Sequence, residues 1–201
     1  MIGWLYDLAG WRVEKGELGE RRHALVADVE GDVIEVGAGT GLNLTHYEKA
    51  RRVVAVEPDP SMARRLPKRV AEATVPVEIV SGAAESLPFA VETFDTAVVT
   101  FVLCSVDSPP AALAEVWRVL KPGGRLVLLE HVRGEGRLAR WQDRCTPLHE
   151  RIAGNCRLNR DTASAVAAAG FDASGLEPVR IPGSHPLVRS GLQGVAIKTS
   201  S

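Results

Sequence analysis

Short apolar runs alternate with longer stretches of helical character through most of the chain. The apolar runs predict strands at 32–36, 52–57, 77–81, 94–99 and 124–130. The stretches between and after them predict helices at 42–49, 60–72, 109–120 and 161–169. Because strand followed by helix repeats along the chain, the pattern predicts an α/β fold. We expect a Rossmann-like doubly wound sheet, mostly parallel, with helices on both faces.

The first residues carry a different pattern. Residues 1–29 read as a helical cap that is broken near Gly16 and Gly19. Helical spacing places three large apolar side chains on one face of this cap: Trp4, Leu8 and Trp11. The sequence leaves three roles open for this face. It can pack in the core, close as a lid that brings Tyr6 near a ligand, or touch a membrane surface.

The second half of the chain contains one segment without a clear pattern. Residues 131–160 fit neither a strand nor a helix, and they follow the fifth predicted strand at the sheet edge where ligands bind in such folds. We therefore expect an insertion that covers a pocket. Asp161 is a candidate N-cap for the next helix, and Val195–Lys198 is typical of a last, antiparallel edge strand. We expect one domain over residues 1–201.

The most informative motif joins the first strand to the segment that follows it. Val33–Gly41 reads as a buried strand that runs into a turn with three glycines, Gly37, Gly39 and Gly41. Glycine lets the backbone turn sharply and approach a ligand closely. The second predicted strand ends in Glu57, which can accept hydrogen bonds from ribose hydroxyls. Leu42 stands where the dinucleotide fingerprint needs its third glycine, so the pattern favours an adenosine ligand other than NAD.

Composition and charge narrow the class of protein. Apolar residues make up 45% and charged residues 24% of the 201 residues, which is typical of a globular domain. The net charge of −1 gives no basis for nucleic-acid binding. Cys104, Cys145 and Cys156 contain no CxxC pair, so we expect neither a disulfide framework nor a zinc site, and we expect a reducing, cytoplasmic location. No apolar run is long enough to span a bilayer. The sequence gives no oligomeric state.

Four segments carry recognisable motifs in a fixed order: Glu35–Gly41, Gly82–Phe89, Phe94–Thr100 and Val119–Gly124. They resemble the motifs of class I S-adenosylmethionine-dependent methyltransferases. The resemblance covers roughly residues 30 to 135 and implies an enzyme that uses S-adenosylmethionine as its cofactor. We expect no metal site.

A narrower resemblance rests on four further segments: Val102–Val106, Glu130–Val132, Trp141–Asp143 and Asn155–Thr162. They are similar to the methyltransferase-like group that contains the alkyl thiol methyltransferases of animals. This resemblance implies a small-molecule acceptor, most simply a thiol. The animal enzymes carry an apolar N-terminal anchor where this chain has only Ile2–Trp11, so we expect no stable membrane insertion.

The resemblance assigns the cofactor site to Glu35, Gly37, Gly39, Gly41, Glu57, Pro58, Ala84, Glu85 and Thr100. Glu35 would reach the ligand's ammonium group through water, or it is a buried acid satisfied by backbone amides. Ala83 stands where many relatives carry an aspartate for the adenine. Glu85 could supply that acceptor, or be a solvated loop acid. Thr100 and Phe101 would flank the sulfonium, although Phe101 could also belong to the core.

Two ionisable side chains are candidate catalytic bases, His131 and Asp143. His131 follows the fifth predicted strand and titrates near neutrality, although a histidine at a strand end is often structural. Cys104 and Cys156 are read as small apolar residues. Three functions remain open: S-methylation of a small-molecule thiol, N- or O-methylation of a phospholipid or other metabolite, and a non-enzymatic domain that binds S-adenosylmethionine or NAD.

Overall fold

The computed structural model describes residues 16–199. The face formed by Trp4, Leu8 and Trp11 and the position of Tyr6 lie outside the described residues. The centre of the molecule is one eight-stranded sheet. Its strands are β1 (Gly31–Val36), β2 (Ala50–Val56), β3 (Val77–Val80), β4 (Phe94–Thr100), β5 (Leu120–His131), β6 (Phe171–Asp172), β7 (Leu176–Arg180) and β8 (Ser190–Lys198).

The sheet has the order β3-β2-β1-β4-β5-β8-β6, and β7 also pairs with β8. Strands β1 to β5 are parallel, and β8 is antiparallel to β5. The Rossmann-like prediction is therefore confirmed. The last strand, however, lies inside the sheet, because β6 and β7 pair antiparallel with its other side. The sequence did not reveal these two strands, since β6 has two residues and β7 contains Pro178.

Six α-helices are described: α1 (Glu17–Val26), α2 (Pro60–Ala63), α3 (Leu66–Glu72), α4 (Pro109–Val119), α5 (Gly136–Ile152) and α6 (Thr162–Ala168). A 3-10 helix covers Pro186–Val188. The side chains of Asp59, Ser108 and Asp161 cap the helices that follow them by accepting a backbone N–H. Asp161 is thus the N-cap that the sequence predicted. None of these helices combines the length and the apolar character that crossing a bilayer requires.

Several predicted helices differ in the structure. Residues 42–49 form turns because Asn43 and Tyr47 direct their side chains to Glu35 beneath the sheet edge. The helix predicted at 60–72 is interrupted before Leu66, where Pro67 has no N–H to continue it.

Two further predictions differ from the structure, one in the first helix and one in the segment 131–160. Helix α1 runs through Gly19 without a break, while Gly16 lies at its N-cap. The segment 131–160 contains the 17-residue helix α5, which the sequence did not indicate, because charged residues are scattered through it and it includes Pro147.

Apolar side chains cover both faces of the sheet. On one face, Ile34, Val99 and Leu128 pack with residues of α4 and α6. On the other face, Val33 and Val127 pack with residues of α1, α3 and the turns after β1. Packing on both faces holds the strands in place. The strand order reverses between β1 and β4. Ligands bind at this switch point in open α/β sheets, outside the carboxyl ends of the strands.

Candidate active site

The turn after β1 uses its three glycines for different reasons. Gly37, Gly39 and Gly41 all have positive φ angles, of 69°, 59° and 83°. A Cβ on Gly37 would lie 2.5 Å from Val102 Cγ2. A Cβ on Gly41 would lie 3.0 Å from side-chain atoms of Leu44, Leu66 and Arg69. A Cβ on Gly39 would meet only Met62 Sδ, at 3.8 Å. Gly37 and Gly41 therefore pack against the protein, while Gly39 borders open space at the sheet edge.

The Glu57 carboxylate is bound by two backbone N–H groups, one of which lies in this turn. Its Oε2 accepts the N–H of Gly39 at 2.7 Å, and its Oε1 accepts the N–H of Asp59 at 2.9 Å. The residue is 6% exposed, and burial raises the pKa of its carboxyl while the two amide bonds oppose that rise. Each carboxylate oxygen has a further lone pair. Glu57 can therefore accept two more hydrogen bonds from a ligand. Pro58, the next residue, is exposed.

The Glu35 carboxylate lies in a network of hydrogen-bonded side chains beneath the turn. Asn43 Nδ2 donates to its Oε1 at 3.0 Å, and the Tyr47 hydroxyl donates to its Oε2 at 2.9 Å. Burial raises the pKa of Glu35 to about 7, against the opposing effect of these two bonds and of the Arg22 charge. Glu35 is thus a buried acid whose partners are side chains rather than backbone amides.

Thr100 belongs to the same network and connects it to the N-terminal helix. Arg22 on α1 donates from Nη1 to Asn43 Oδ1 at 2.8 Å and to Thr100 Oγ1 at 3.1 Å. Its guanidinium also lies 5.8 Å from the centroid of the Phe101 ring. The sequence did not reveal Arg22, because one arginine in a helix of mixed charge carries no signal of where it points.

The loop after β4 is held by Glu130, the second residue from the end of β5. Its carboxylate accepts the N–H groups of Val102 at 2.6 Å, Leu103 at 2.9 Å and Cys104 at 3.4 Å. Burial raises the pKa of Glu130 to about 7 despite these bonds. Phe101, at the start of the loop, has a φ of 57°, a conformation that costs energy and occurs at functional sites. Its ring and backbone are partly buried beside the sheet edge.

The loop predicted to border adenine is anchored to α4. Ala84 is buried, and Ala83 pairs with Ser86 in an isolated bridge. Glu85 Oε1 accepts the N–H groups of Asp107 at 2.9 Å and Ser108 at 3.3 Å. Glu85 is therefore half-buried and bonded to the protein backbone. Its contact with adenine stays a prediction.

The two candidate bases lie in different surroundings. Asp143 on α5 is exposed and paired with Arg133 at 2.8 Å, and this bond lowers the pKa of its carboxyl. Proton acceptance is disfavoured at such a carboxylate. His131 ends β5, is 8% exposed, and places Nε2 2.9 Å from Cys156 Sγ. Its ring centroid lies 6.2 Å from that of Phe101. The role of either residue as a base stays a prediction.

Helix α5 is fixed to the sheet edge by Gln142. Its Oε1 accepts the N–H of Gly134 at 2.7 Å, and its Nε2 donates to the carbonyl of Leu187 at 2.8 Å. The segment 131–160 is thus an ordered helix and its flanking loops. That it covers a pocket stays a prediction.

Comparison with known proteins identifies a common family. The model of a methyltransferase domain matches residues 34–128. Human thiol S-methyltransferase TMT1A is 34% identical over 83% of this chain and 70% of its own length. Rat thiol S-methyltransferase TMT1B is 36% identical over 84% of this chain and 71% of its own. Phosphatidylethanolamine N-methyltransferase of Cereibacter sphaeroides is 35% identical over 67% of this chain and 68% of its own.

A solved structure agrees in fold. It is a SAM-dependent methyltransferase of Thermotoga maritima, described as a possible histamine N-methyltransferase. It superposes with a TM-score of 0.70 at 25% identity and covers 95% of this chain and 93% of its own.

The buried Glu35 predicts a specific pH dependence of stability. Because its pKa rises from 4.5 to about 7 on folding, the folded state binds more protons than the unfolded state between these values. The free energy of unfolding therefore falls as pH rises through this window. Glu35→Gln should remove this contribution. From about pH 5 to pH 8, the free energy of unfolding of the parent should therefore fall by roughly 2–3 kcal/mol more than that of the variant.

Urea denaturation at the two pH values measures this difference. Glu78→Gln on β3, where the side chain is exposed, is the control and should follow the parent. Equal pH dependence in the parent and in Glu35→Gln would show that Glu35 does not titrate in this window.

Proposed function

Because the chain belongs to the class I S-adenosylmethionine-dependent methyltransferases, we propose that it transfers a methyl group to the sulfur of a small-molecule thiol. The observation that carries this proposal is the extent of similarity to two thiol S-methyltransferases. It reaches 83–84% of this chain at 34–36% identity. The phospholipid N-methyltransferase has a comparable sequence identity of 35%, but its match extends over a smaller part of this chain, 67%.

The described residues fit S-adenosylmethionine at two points. Gly39 borders open space that any side chain would fill. Glu57 is fixed by the backbone N–H groups of Gly39 and Asp59 and keeps lone pairs for ribose hydroxyls. Glu57 would therefore hold the ribose. Gly39 would let the backbone pass the methionyl part, while Gly37 and Gly41 would let the turn pack closely enough on the protein to place Gly39 there. Glu35 would act from below, by fixing Asn43.

A thiol is the acceptor whose methylation needs the fewest catalytic groups from the protein. The cofactor supplies a methyl group already activated on a positively charged sulfur. A free thiol with a pKa of about 8.5 is a few per cent thiolate at neutral pH, and the thiolate is the nucleophile. Positioning then supplies much of the rate. This agrees with the described site, where Asp143 is paired with Arg133 and His131 Nε2 faces Cys156 rather than standing free.

An alternative function is N- or O-methylation of a phospholipid or another metabolite. The similarity to phosphatidylethanolamine N-methyltransferase favours it. Such an acceptor is protonated or weakly acidic at neutral pH and needs a dedicated base. We place the enzyme in a reducing compartment such as the cytoplasm, because Cys104, Cys145 and Cys156 are all free thiols.

The first test concerns Glu57. Glu57→Ala should weaken S-adenosylmethionine binding by about 2 kcal/mol, the scale of hydrogen bonds to a charged group. Isothermal titration calorimetry measures the affinity, with the exposed Glu78→Ala as the control. Unchanged affinity in Glu57→Ala, or tight NAD binding by the parent, would contradict the assigned cofactor site.

A second test separates ligand contact from backbone strain at the glycine turn. Gly39→Val should abolish detectable cofactor binding while the protein stays folded, because the side chain enters the open space beside Met62. Gly123→Val is the matched control. Gly123 has a φ of 72° and nothing within 4 Å of a built Cβ, so it carries the same strain away from the site. Circular dichroism shows whether each variant is folded, and calorimetry measures its affinity for the cofactor. Normal binding by Gly39→Val would mean that this turn does not face the cofactor.

The acceptor class is tested with matched compounds. The protein is incubated with methyl-labelled S-adenosylmethionine and an alkyl thiol, the corresponding alcohol, the corresponding amine and a phenol. Label should pass to the thiol at least about tenfold faster than to the others, given the nucleophilicity of thiolate. Faster transfer to the amine or the phenol would replace the thiol proposal with the alternative.

A further inference from the structure

Three metal-binding side chains meet beside the sheet edge although they lie far apart in the chain. Cys104 comes from the loop after β4, His131 ends β5, and Cys156 follows α5. Their ligand atoms all lie within 4.8 Å of one another, and all three residues are buried. The expectation of no zinc site rested on the absence of CxxC spacing, and the fold brings these residues together without it.

The backbone around both cysteines is fixed. The N–H of Cys104 donates to Glu130, and its carbonyl accepts the N–H of Arg157 at 2.8 Å. The carbonyl of Cys156 accepts from His149 Nδ1 at 2.9 Å. These bonds hold the two sulfur atoms near one position. A metal site needs such support for its ligands, because loosely held side chains lose geometry and affinity.

Other roles for the cluster fit less well. Cys104 is 1% exposed, and a hydrogen bond with Cys156 together with burial raises the pKa of its thiol. A nucleophilic cysteine is typically accessible and has a lowered pKa. His131 turns Nε2, rather than Nδ1, toward Cys156. Nδ1 is buried without a hydrogen-bond partner among residues 16–199, and a water would satisfy it while Nε2 binds a metal ion.

We propose that Cys104, His131 and Cys156 bind one Zn²⁺ ion. Thiolate sulfur and imidazole nitrogen are preferred zinc ligands, at about 2.3 Å and about 2.0–2.1 Å. A tetrahedral site with these bond lengths holds its ligand atoms roughly 3.5–3.8 Å apart. The 2.9 Å between His131 Nε2 and Cys156 Sγ, and the 4.8 Å limit for the set, bracket this spacing. The two thiols would release their protons as the metal binds, and two thiolates balance its charge.

The ligand count assigns a role to the site. Structural zinc sites have four protein ligands, whereas catalytic sites have three and keep the fourth position for water or substrate. Within residues 16–199 the cluster offers three, next to Phe101 at the carboxyl edge of the sheet. The fourth position would take the acceptor thiol, an assignment that rests on the proposed function. The bound thiol would lose its proton to water. Its sulfur would then attack the methyl carbon, while the carbon–sulfur bond of the cofactor breaks and its electron pair stays on the cofactor sulfur.

The metal content of the reduced protein tests the site directly. The full chain is treated with a reductant, stripped with a chelator, dialysed against Zn²⁺, and measured by inductively coupled plasma mass spectrometry. We expect one zinc per chain. Cys156→Ser and Cys104→Ser should weaken Zn²⁺ binding by more than about 100-fold, since even loss of outer-shell support costs up to that amount. Cys145→Ser, a free cysteine outside the cluster, should bind zinc like the parent.

Zinc content of the parent decides even where a serine variant fails to fold, which circular dichroism would reveal. No stoichiometric zinc in the reduced parent overturns the proposal, and so does equal loss in Cys145→Ser. A Cys104–Cys156 disulfide that re-forms and excludes zinc under reducing conditions overturns it as well.

Cobalt substitution tests the fourth position. Co²⁺ in place of Zn²⁺ should give thiolate-to-cobalt charge-transfer absorption, and its visible bands should shift when the alkyl thiol is added but not when the corresponding alcohol is added. Unshifted bands overturn the role in thiol binding. The two proposals fail separately. Thiol methylation that is equally fast in metal-free protein removes only the zinc role, whereas zinc binding without thiol methylation removes only the proposed function.

Discussion

The buried carboxylate of Glu130 organises the part of the molecule where the acceptor would bind. The loop after β4 has no regular secondary structure, so its backbone N–H groups need partners from elsewhere. Glu130 accepts three of them in succession, from Val102 to Cys104. Val102 in turn lies against Gly37 so closely that no side chain fits there. One carboxylate therefore fixes both Val102, which packs against the glycine turn, and Cys104.

Three buried acids lie at the carboxyl edge, and each is satisfied by different groups. Glu35 is bound by side chains, Glu130 by a loop backbone, and Glu57 by the glycine turn and the residue two positions on. Glu35 and Glu130 are almost fully buried, at 2% and 0% exposed, and they fix the groups that donate to them. Glu57 differs because one of its partners, Gly39, borders open space, so its spare acceptor positions lie where a ligand can reach them. This difference separates a ligand-binding acid from two structural ones that the sequence motif presents alike.

The features predictable from the sequence are those with local causes. Alternation of buried strands with helices depends on neighbouring residues, and Asp161 caps a helix through a contact three residues away. Residues 42–49 escaped prediction because Asn43 bonds to Glu35 and Thr100, contacts that only the folded sheet supplies. The Cys104, His131 and Cys156 cluster and the reach of Arg22 escaped for the same reason. Helix α5 was not predicted because it buries few apolar side chains, and Gln142 holds it by polar bonds instead.

The position of β8 has a consequence for how the protein is made. β8 covers the free edge of β5 over seven residue pairs, and Lys198 at its end donates to the carbonyl of Leu120 at 2.7 Å. During synthesis, β5 leaves the ribosome long before β8 does. Until then it presents an unpaired, strongly apolar edge, which is a template for aggregation. The nascent chain is thus most prone to aggregate after β5 has been translated and before β8 can pair with it.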